Sequence, residues 1–235
     1  MQIKKVPKTI ALIPDGNRRW AKGHKLSVLS GYQLGVKKFI DFSEWCKDFG
    51  VKNITVWALS TENLNRPKHE LKVLFGLYKK AANDPKIFAR LQKNNTKFNV
   101  IGNKSLLPDD VRIALEGLES RTSKNKERVI NMLVGYGGKE DILHAAKEYA
   151  KSAIKIGKVF TLTDESFKKY LRSYAIPEID FVIRTSNEER ISGFLPWQIS
   201  YSELYFADKY WPDFARGDLQ KALSEYGRRV RRFGT

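Results

Sequence analysis

Short apolar runs alternate along the chain with longer segments whose apolar residues recur at helical spacing. The short runs are typical of buried β-strands, and the longer segments are typical of amphipathic helices. In one such segment Leu34, Phe39 and Phe42 begin an apolar stripe, and Gly50 follows as a helix stop. The pattern predicts strands at residues 9–14, 53–58, 97–101, 128–134, 180–184 and 202–206. It predicts helices at residues 30–49, 68–93, 109–121, 139–156, 164–173 and 218–232.

The alternation of strands and helices predicts an α/β fold. We expect a single domain over residues 1–235, with a mainly parallel central sheet covered by helices on both faces. In sheets of this kind ligands bind outside the carboxyl ends of the strands, where loops lead into helices. The loops that follow the strands are therefore the candidate functional segments.

The net charge indicates an anionic partner. The chain has 43 Lys and Arg residues against 26 Asp and Glu residues, a formal net charge of +17. Nucleic acid, an anionic membrane surface and a phosphorylated small molecule are the three candidates. Because the distinctive arginines fall on loops after strands, we favour a phosphorylated small molecule and expect no nucleic-acid binding.

The number and placement of cysteines and histidines indicate the cellular compartment and exclude some kinds of site. Cys46 is the only cysteine and the three histidines are scattered, which argues against a disulfide framework and a zinc site. The apolar run that Asp15 stops has six residues, too few to span a membrane. We expect a cytoplasmic protein whose contact with a membrane, if it has one, is peripheral.

The loop after the first predicted strand combines an acidic residue with two arginines. A carboxylate such as Asp15 at this end of a sheet can hold Mg²⁺. Arg18, Arg19 and the backbone N–H groups of a turn before a helix can bind phosphate oxygens. An ordinary strand-to-helix turn has a similar Asp-Gly-Asn composition, so both readings stay open.

Two later loops are also rich in polar groups. Residues 60–67 include six polar side chains, although Ser60 and Asn63 also suit a simple helix cap. Arg184 and Arg190 are candidate forks for a diphosphate, or else members of a polar surface loop. Glu203 lies in an apolar, aromatic segment where an unpaired carboxylate is costly to bury, which makes it the second metal candidate.

At these loops the sequence closely resembles the cis-prenyltransferases, or undecaprenyl diphosphate synthase family. The resemblance covers residues 9–234. The matching motifs stand in the family's order: Pro14-Asp15-Gly16-Asn17-Arg18-Arg19-Trp20-Ala21, Leu59-Ser60-Thr61-Glu62-Asn63, Ile183-Arg184-Thr185-Ser186, Trp197-Gln198 with Tyr201-Ser202-Glu203-Leu204-Tyr205-Phe206, Trp211-Pro212-Asp213-Phe214 and Arg231-Arg232-Phe233-Gly234.

The resemblance implies an activity and a set of roles. Members of the family condense an allylic prenyl diphosphate with isopentenyl diphosphate, form Z double bonds with Mg²⁺, and are homodimers of α/β subunits. Asp15 then resembles the catalytic and metal-binding carboxylate, with Glu203 as the other metal ligand. Asn63 stands at the position usually assigned to proton removal, beside Ser60.

Further residues resemble the substrate-binding groups of the family. The loop that grips the allylic diphosphate would consist of Gly16, Asn17, Arg18 and Arg19, with Trp20 behind it. Thr61, Glu62, Leu64 and Arg66 would belong to the positioning loop, with Tyr32 nearby. Arg184, Arg190, Ile191 and Ser192 would form the isopentenyl diphosphate clamp, and Arg232 and Gly234 would reach a diphosphate across the dimer interface.

Four departures from the family pattern leave the outcome of the reaction open. Pro14 replaces the common Met, Val28 an Arg, Tyr32 a His and Leu64 a Trp. Some of these features are similar to the lavandulyl-type synthases, which join prenyl units head-to-middle. Regular head-to-tail coupling, head-to-middle coupling or a non-standard acceptor, and a catalytically weak partner subunit are therefore the alternatives.

The helix predicted at residues 68–93 is a candidate wall for a product tunnel. Its apolar residues could face a growing prenyl chain, or they could simply pack in the core. The candidates are Leu71, Leu74, Phe75, Leu77, Tyr78 and Ala81.

Overall fold

Six parallel strands form one sheet at the centre of the molecule. The computed structural model describes residue 3, residues 5–157 and residues 161–229. The strands are β1 (Thr9–Ile13), β2 (Asn53–Ser60), β3 (Thr96–Ile101), β4 (Arg128–Tyr136), β5 (Phe181–Arg184) and β6 (Glu203–Phe206). Their order across the sheet is β3-β4-β2-β1-β5-β6, and every neighbouring pair is parallel. The α/β class and all six predicted strands are confirmed.

Helices connect the strands. The α-helices are α1 (Asn17–Gly23), α2 (Val28–Asp48), α3 (Lys68–Asn83), α4 (Pro85–Lys93), α5 (Asp109–Thr122), α6 (Gly138–Ile156), α7 (Asp164–Lys168) and α8 (Arg216–Tyr226). Short 3-10 helices lie at Glu62–Asn65, Lys104–Leu106 and Trp211–Asp213. No helix within the described ranges combines the length and apolar character that crossing a membrane requires.

The helix predicted at residues 68–93 is in fact two helices. Pro85 begins α4, because its ring restricts the preceding residue to extended backbone and it has no N–H to donate. Asp84 accordingly has φ −72° and ψ 116°, and its carboxylate accepts a hydrogen bond of 2.8 Å from the N–H of Lys86. The apolar periodicity continues across this break, which is why the pattern alone did not reveal it.

Three other helices differ from the prediction. The short helix α1 was not predicted, because its seven residues are mostly polar and its position depends on packing against α2. The helix predicted to reach residue 173 ends at Lys168 and continues as turns with i to i+3 hydrogen bonds. The last helix begins at Arg216 and ends at Tyr226, and residues 230–232 of that prediction lie outside the described residues.

Alternate residues of β1 face two separate apolar cores. Ile10 and Leu12 belong to the larger core, which packs under α2, α3, α5 and α8. Ala11 and Ile13 belong to a smaller core on the other face. Each fully buried large side chain, such as that of Phe42, contributes about 1.5–3 kcal/mol by leaving water. The sheet is thus fixed from both sides, and its carboxyl end presents the loops.

Candidate functional site

Three predicted loops meet at the carboxyl end of neighbouring strands. Strand β1 lies between β2 and β5, with Ile13 level with Arg184. The segments that begin at Asp15, Ser60 and Thr185 therefore leave the sheet side by side. This arrangement brings together the polar residues that the sequence placed after strands.

The backbone at Asp15 is held by residues from two other segments. Its carbonyl oxygen accepts hydrogen bonds from the Thr185 hydroxyl at 2.7 Å and from the Trp211 N–H at 2.9 Å. Gly16 follows with φ 100°, and a Cβ there would lie 2.6 Å from Cδ1 of Tyr210. Only glycine fits this turn. The close contact fixes the backbone from which the Asp15 side chain projects.

The carboxylate of Asp15 is bonded but still accessible. Oδ1 accepts from the Gly16 N–H at 2.6 Å, and Oδ2 accepts from Nη2 of Arg184 at 2.9 Å. Nη2 of Arg19 lies 3.4 Å from Oδ1. The side chain keeps 32% of its surface exposed, so the carboxylate can still contact a ligand.

Arg184 is the buried centre of the β5 loop. Its residue is only 5% exposed, and Nη1 donates to Oγ of Ser192 at 3.0 Å and to the carbonyl oxygen of Arg190. Ser192 has a φ of 50°, in the left-handed region that few side chains adopt, so the loop is strained at the point where it meets Arg184. Ile191 lies between these contacts and packs against the smaller core.

Arg19 and Arg190 share one carboxylate that the sequence analysis did not single out. Oε1 of Glu188 accepts from Nη1 of Arg19 at 2.6 Å, and Oε2 accepts from Arg190. The hydrogen bond from Arg19, assisted by Arg190, holds the pKa of Glu188 below its usual range. One carboxylate therefore orients both guanidinium groups.

A buried carboxylate, that of Glu70, organises the other two arginines. The Tyr32 hydroxyl donates to Oε1 of Glu70 and accepts from Nη1 of Arg66 at 2.7 Å. Nε of Arg18 lies 3.5 Å from the same oxygen, and Nη1 of Arg66 lies 3.6 Å from it. Burial, reinforced by the bond to Glu70, raises the pKa of Tyr32 above its ordinary value. Glu70 also escaped the sequence analysis, although its i,i+4 spacing from Arg66 was a usable signal.

Close packing of α1 against α2 positions Asn17 and Trp20. A Cβ on Gly31 or Gly35 would clash with the carbonyl or the side-chain oxygen of Asn17, respectively. Nδ2 of Asn17 donates to the Pro14 carbonyl at 3.0 Å. Nε1 of Trp20 donates to Oδ1 of Asp213 at 2.7 Å, which anchors the buried indole to the 3-10 helix Trp211–Asp213.

The loop after β2 borders the same cavity as Asp15. Oγ of Ser60 accepts from the Asn63 N–H at 3.1 Å, which caps the short 3-10 helix. Ser60, Glu62 and Asn63 line the same cavity as Asp15. Thr61 instead packs against Gly137, and Leu64 packs on the larger core.

Glu203 lies away from this cluster in the same chain. It is the first residue of β6 and is level with Phe181 and Ile10, so it lies about 10 Å below the level of Ile13 along the strands. Its carboxylate accepts a hydrogen bond of 3.0 Å from Arg229. Arg232 and Gly234 lie outside the described residues.

A large cavity extends from this cluster along one face of the sheet. Its volume is about 1010 Å³. Asp15, Arg18, Arg19, Arg66 and Arg184 line one end, and apolar side chains line the middle. Of the six predicted tunnel residues on α3, three line the cavity: Leu74, Tyr78 and Ala81. Leu74 and Tyr78 also belong to the larger core, and Leu71, Phe75 and Leu77 pack against that core without lining the cavity.

Three buried polar atoms around the Asp15 loop have no hydrogen-bond partner among the described residues. They are Nε of Arg184, Oγ of Ser186 and Oδ1 of Asn17. Such atoms are rare in folded proteins and are concentrated where a ligand or water completes the structure. Their position supports a polar ligand at this end of the cavity.

Comparisons with known proteins agree with the motifs and the geometry. The profile of the family described as "Putative undecaprenyl diphosphate synthase" matches residues 13–234. A tritrans,polycis-undecaprenyl-diphosphate synthase (geranylgeranyl-diphosphate specific) of Methanopyrus kandleri is 42% identical over 98% of this chain and 85% of its own length. An isoprenyl transferase of Geobacter sulfurreducens is 42% identical over 98% of this chain and 93% of its own length.

Solved structures show the same fold. Lavandulyl diphosphate synthase of Lavandula x intermedia, determined with dimethylallyl diphosphate, superposes with a TM-score of 0.92 at 33% identity, covering 98% of this chain and 99% of its own. A probable undecaprenyl diphosphate synthase of Campylobacter jejuni superposes with a TM-score of 0.79 at 28% identity, covering 98% and 100%. The chain therefore belongs to the undecaprenyl diphosphate synthase family and is a cis-prenyltransferase.

Proposed function

We propose that this protein condenses an allylic prenyl diphosphate with isopentenyl diphosphate, with Mg²⁺, to form a Z-configured polyprenyl diphosphate. One observation carries the proposal: Asp15 and four arginines surround one end of an apolar cavity of about 1010 Å³. Diphosphates are bound by cations and by metals held on carboxylates, and a growing hydrocarbon needs an apolar channel. We further propose that residues 1–235 act as one catalytic domain.

The donor set at Asp15 fits Mg²⁺. Mg²⁺ is usually held by one or two carboxylates together with substrate phosphates and water. The described residues include no group of three or more His, Cys, Asp or Glu that could enclose a metal. The fit is therefore to a metal that Asp15 shares with a diphosphate. When bound, the ion would stabilise the charge that develops on the leaving diphosphate.

The arginines have separate tasks in this proposal. Arg18, Arg19 and Arg66 line the cavity at the mouth and would hold the allylic diphosphate, with the amide of Asn17 and the N–H of Gly16 beside them. Their carboxylate partners orient the guanidinium groups before the substrate binds, and this preorganisation favours the charge of the ionised state.

The loop after β5 would bind the second diphosphate. Arg184 and Ser192 are already in contact, and Nε of Arg184 has no partner among the described residues. An isopentenyl diphosphate could accept from that N–H and from Arg190. Ser60 and Asn63 line the same cavity, and the amide oxygen of Asn63 would suffice to take a proton once the carbocation has formed.

Product formation tests the proposal directly. The purified protein would be incubated with radiolabelled isopentenyl diphosphate, Mg²⁺ and allylic primers of several lengths. Butanol-extractable prenyl diphosphates are expected, and addition of EDTA should abolish them. If no primer yields such a product, the proposed reaction is wrong.

Head-to-middle coupling is the second candidate. It is favoured by the TM-score of 0.92 with lavandulyl diphosphate synthase, together with Val28 and Tyr32 at the mouth. Mass spectrometry and NMR of the product decide between the two outcomes, since a regular Z-polyprenyl product alone excludes it. Introducing Val28→Arg with Tyr32→His tests whether these positions select the acceptor, and an unchanged product spectrum would reject that role.

A homodimer would explain the position of Glu203. Within one chain Glu203 is distant from Asp15, so we propose that it acts at the site of a second copy. Arg232 and Gly234 would reach the same site from the partner. The alternative of a catalytically weak partner subunit would be excluded by full activity of the purified protein alone.

We also propose peripheral contact with an anionic membrane through the segment around the cavity mouth. Residues 16–40 contain six Lys or Arg residues and no Asp or Glu. Within them Leu26, Val28 and Leu29 are 48%, 38% and 39% exposed, and Leu26 and Val28 line the cavity. Exposed apolar side chains beside lysines such as Lys22 and Lys25 match a lipid surface, into which a hydrocarbon product could pass.

A further inference from the structure

The end of the cavity opposite Asp15 is polar. The cavity reaches from Ser60, at the carboxyl end of β2, to Arg128 and Thr96, at the amino ends of β4 and β3. Seven residue steps along β2 separate the two ends, a length of about 23 Å. Apolar side chains such as Val56 and Met132, which are level with each other near the middle of β2 and β4, line the stretch between the two ends. An amphiphile of this length could therefore lie along the cavity in either direction.

Arg128 is a buried cation with no carboxylate partner among the described residues. It is 6% exposed, and its guanidinium donates only to backbone carbonyls, to Ser43 at 3.0 Å and to Val51 at 3.3 Å. Burial lowers the pKa of Arg128, but a guanidinium stays protonated at neutral pH. A buried charge is costly without an opposite charge. Arg128 lines the cavity, so a ligand there can supply that charge.

The charges around Arg128 leave this end of the cavity positive. Glu44 is the nearest carboxylate that lines it, but Glu44 accepts from Lys47 and Asn94, each at 2.9 Å, and lies 4.0 Å from Arg90. Asp48, which also acts on Arg128, is paired with Arg216 at 2.6 Å. The buried Cys46 thiol has a raised pKa and adds no charge.

We propose that the Arg128 end of the cavity binds the headgroup of a single-chain anionic amphiphile, a carboxylate or a phosphate, whose hydrocarbon chain lies along the cavity toward Asp15. A sixteen-carbon chain is about 20 Å long when extended and matches the cavity. Such a ligand occupies the space of the product and inhibits elongation. The inhibition depends on the proposed function, whereas the binding does not.

Calorimetry with three sixteen-carbon probes tests the headgroup site. Hexadecanoate and hexadecyl phosphate are expected to bind at least about tenfold more tightly than 1-hexadecanol, because a charge-assisted hydrogen bond forms in a buried setting. The ratio between the two anions identifies the preferred headgroup. Equal affinity for all three probes would overturn the proposal.

Two variants locate the headgroup. Arg128→Met should remove the preference for the anions while 1-hexadecanol binds as before. Glu44→Gln removes the competing carboxylate and should tighten anion binding only, which tests the site even if Arg128→Met does not fold. Anion preference that is unaffected by either change would assign the headgroup to the Asp15 end instead. Because binding is measured without turnover, failure of the condensation reaction in the wild type leaves this result interpretable.

Discussion

Asp15 is surrounded by partners that are themselves fixed by other bonds. Arg184 is anchored by Ser192, and Arg19 is anchored by Glu188. The carboxylate is thus held in one orientation while a third of its surface stays exposed. A metal ligand of this kind loses little conformational freedom when it binds, so the site is preorganised.

Replacing Asp15 by Asn tests its role at constant shape. We expect turnover to fall by about 10²–10³-fold, because an amide is a poor Mg²⁺ ligand and cannot stabilise the metal-bound diphosphate. The measurement is product formation at saturating Mg²⁺, with thermal unfolding to verify that the fold persists. Asp110→Asn is the matched control, since that exposed side chain pairs with Lys79 at 2.8 Å outside the cavity and should leave turnover nearly unchanged. Retained turnover in Asp15→Asn would refute the metal assignment.

Sequence reasoning identified the residues that follow strands but not their distant partners. Asp15 and Arg184 could be predicted because the carboxyl end of a parallel strand is where ligands bind. Glu70 is 38 residues from Tyr32, and Glu188 is 169 residues from Arg19. No local pattern joins these two distant pairs, so they emerged only from the folded chain, although Glu70 also lies four residues from Arg66 and Glu188 two residues from Arg190.

Helix α1 shows how an element depends on a neighbour. It is short and polar, and its place is set by the approach of Asn17 to two glycines on α2. Its backbone therefore positions the Asp15 loop from outside the sheet. Propensity alone could not predict it, in the same way that apolar periodicity could not predict the Pro85 break between α3 and α4.

Gly35→Ala should disturb this contact. The added methyl group meets Oδ1 of Asn17, and we expect a loss of about 1–3 kcal/mol in the free energy of unfolding, as for other overpacked sites. Activity should fall with it, because α1 carries Arg18 and Arg19. Gly76→Ala on α3 is the control: a Cβ there meets nothing within 4 Å, and we expect a gain of about 0.4–1 kcal/mol. Urea denaturation measures both, and equal effects would contradict the packing argument.

The segment at the cavity mouth gives a second prediction for an element. Leu26→Asp with Leu29→Asp should weaken cosedimentation with anionic vesicles by at least about tenfold, since apolar burial is lost and negative charge is added. Ile113→Asp on α5 is the control, because Ile113 is 62% exposed but does not line the cavity. If the control variant detaches equally, the contact is not specific to the mouth.

At the scale of the whole molecule, the fold was more predictable than the cavity. The six strands and their parallel direction follow from alternating apolar runs and amphipathic helices. The cavity is the space left between the sheet and helices α2, α3, α4 and α5, and it depends on side chains that face each other across that gap. On α3, Leu74 both borders the cavity and belongs to the larger core, while Leu71, which is apolar and three residues away, packs against that core without reaching the cavity.

Mixing two inactive variants tests whether the molecule works as a dimer with shared sites. Asp15→Ala and Glu203→Gln each lack one proposed metal ligand. If Glu203 acts across the interface, a mixed dimer has one site with both lesions and one intact site. Random pairing makes about half of the dimers mixed, so about a quarter of wild-type activity should return after co-refolding.

The controls for this mixing experiment separate the two geometries. Each variant refolded alone should stay inactive, and size-exclusion chromatography should show a dimer in every sample. If Glu203 served Asp15 of its own chain, every site in the mixture would carry a lesion and no activity would return. That result would also conflict with the placement of Glu203 at the amino end of β6, where Arg229 already binds it. Recovered activity would instead show that Glu203 acts at the site of the partner chain. The bond between Glu203 and Arg229 would then belong to the chain without substrate.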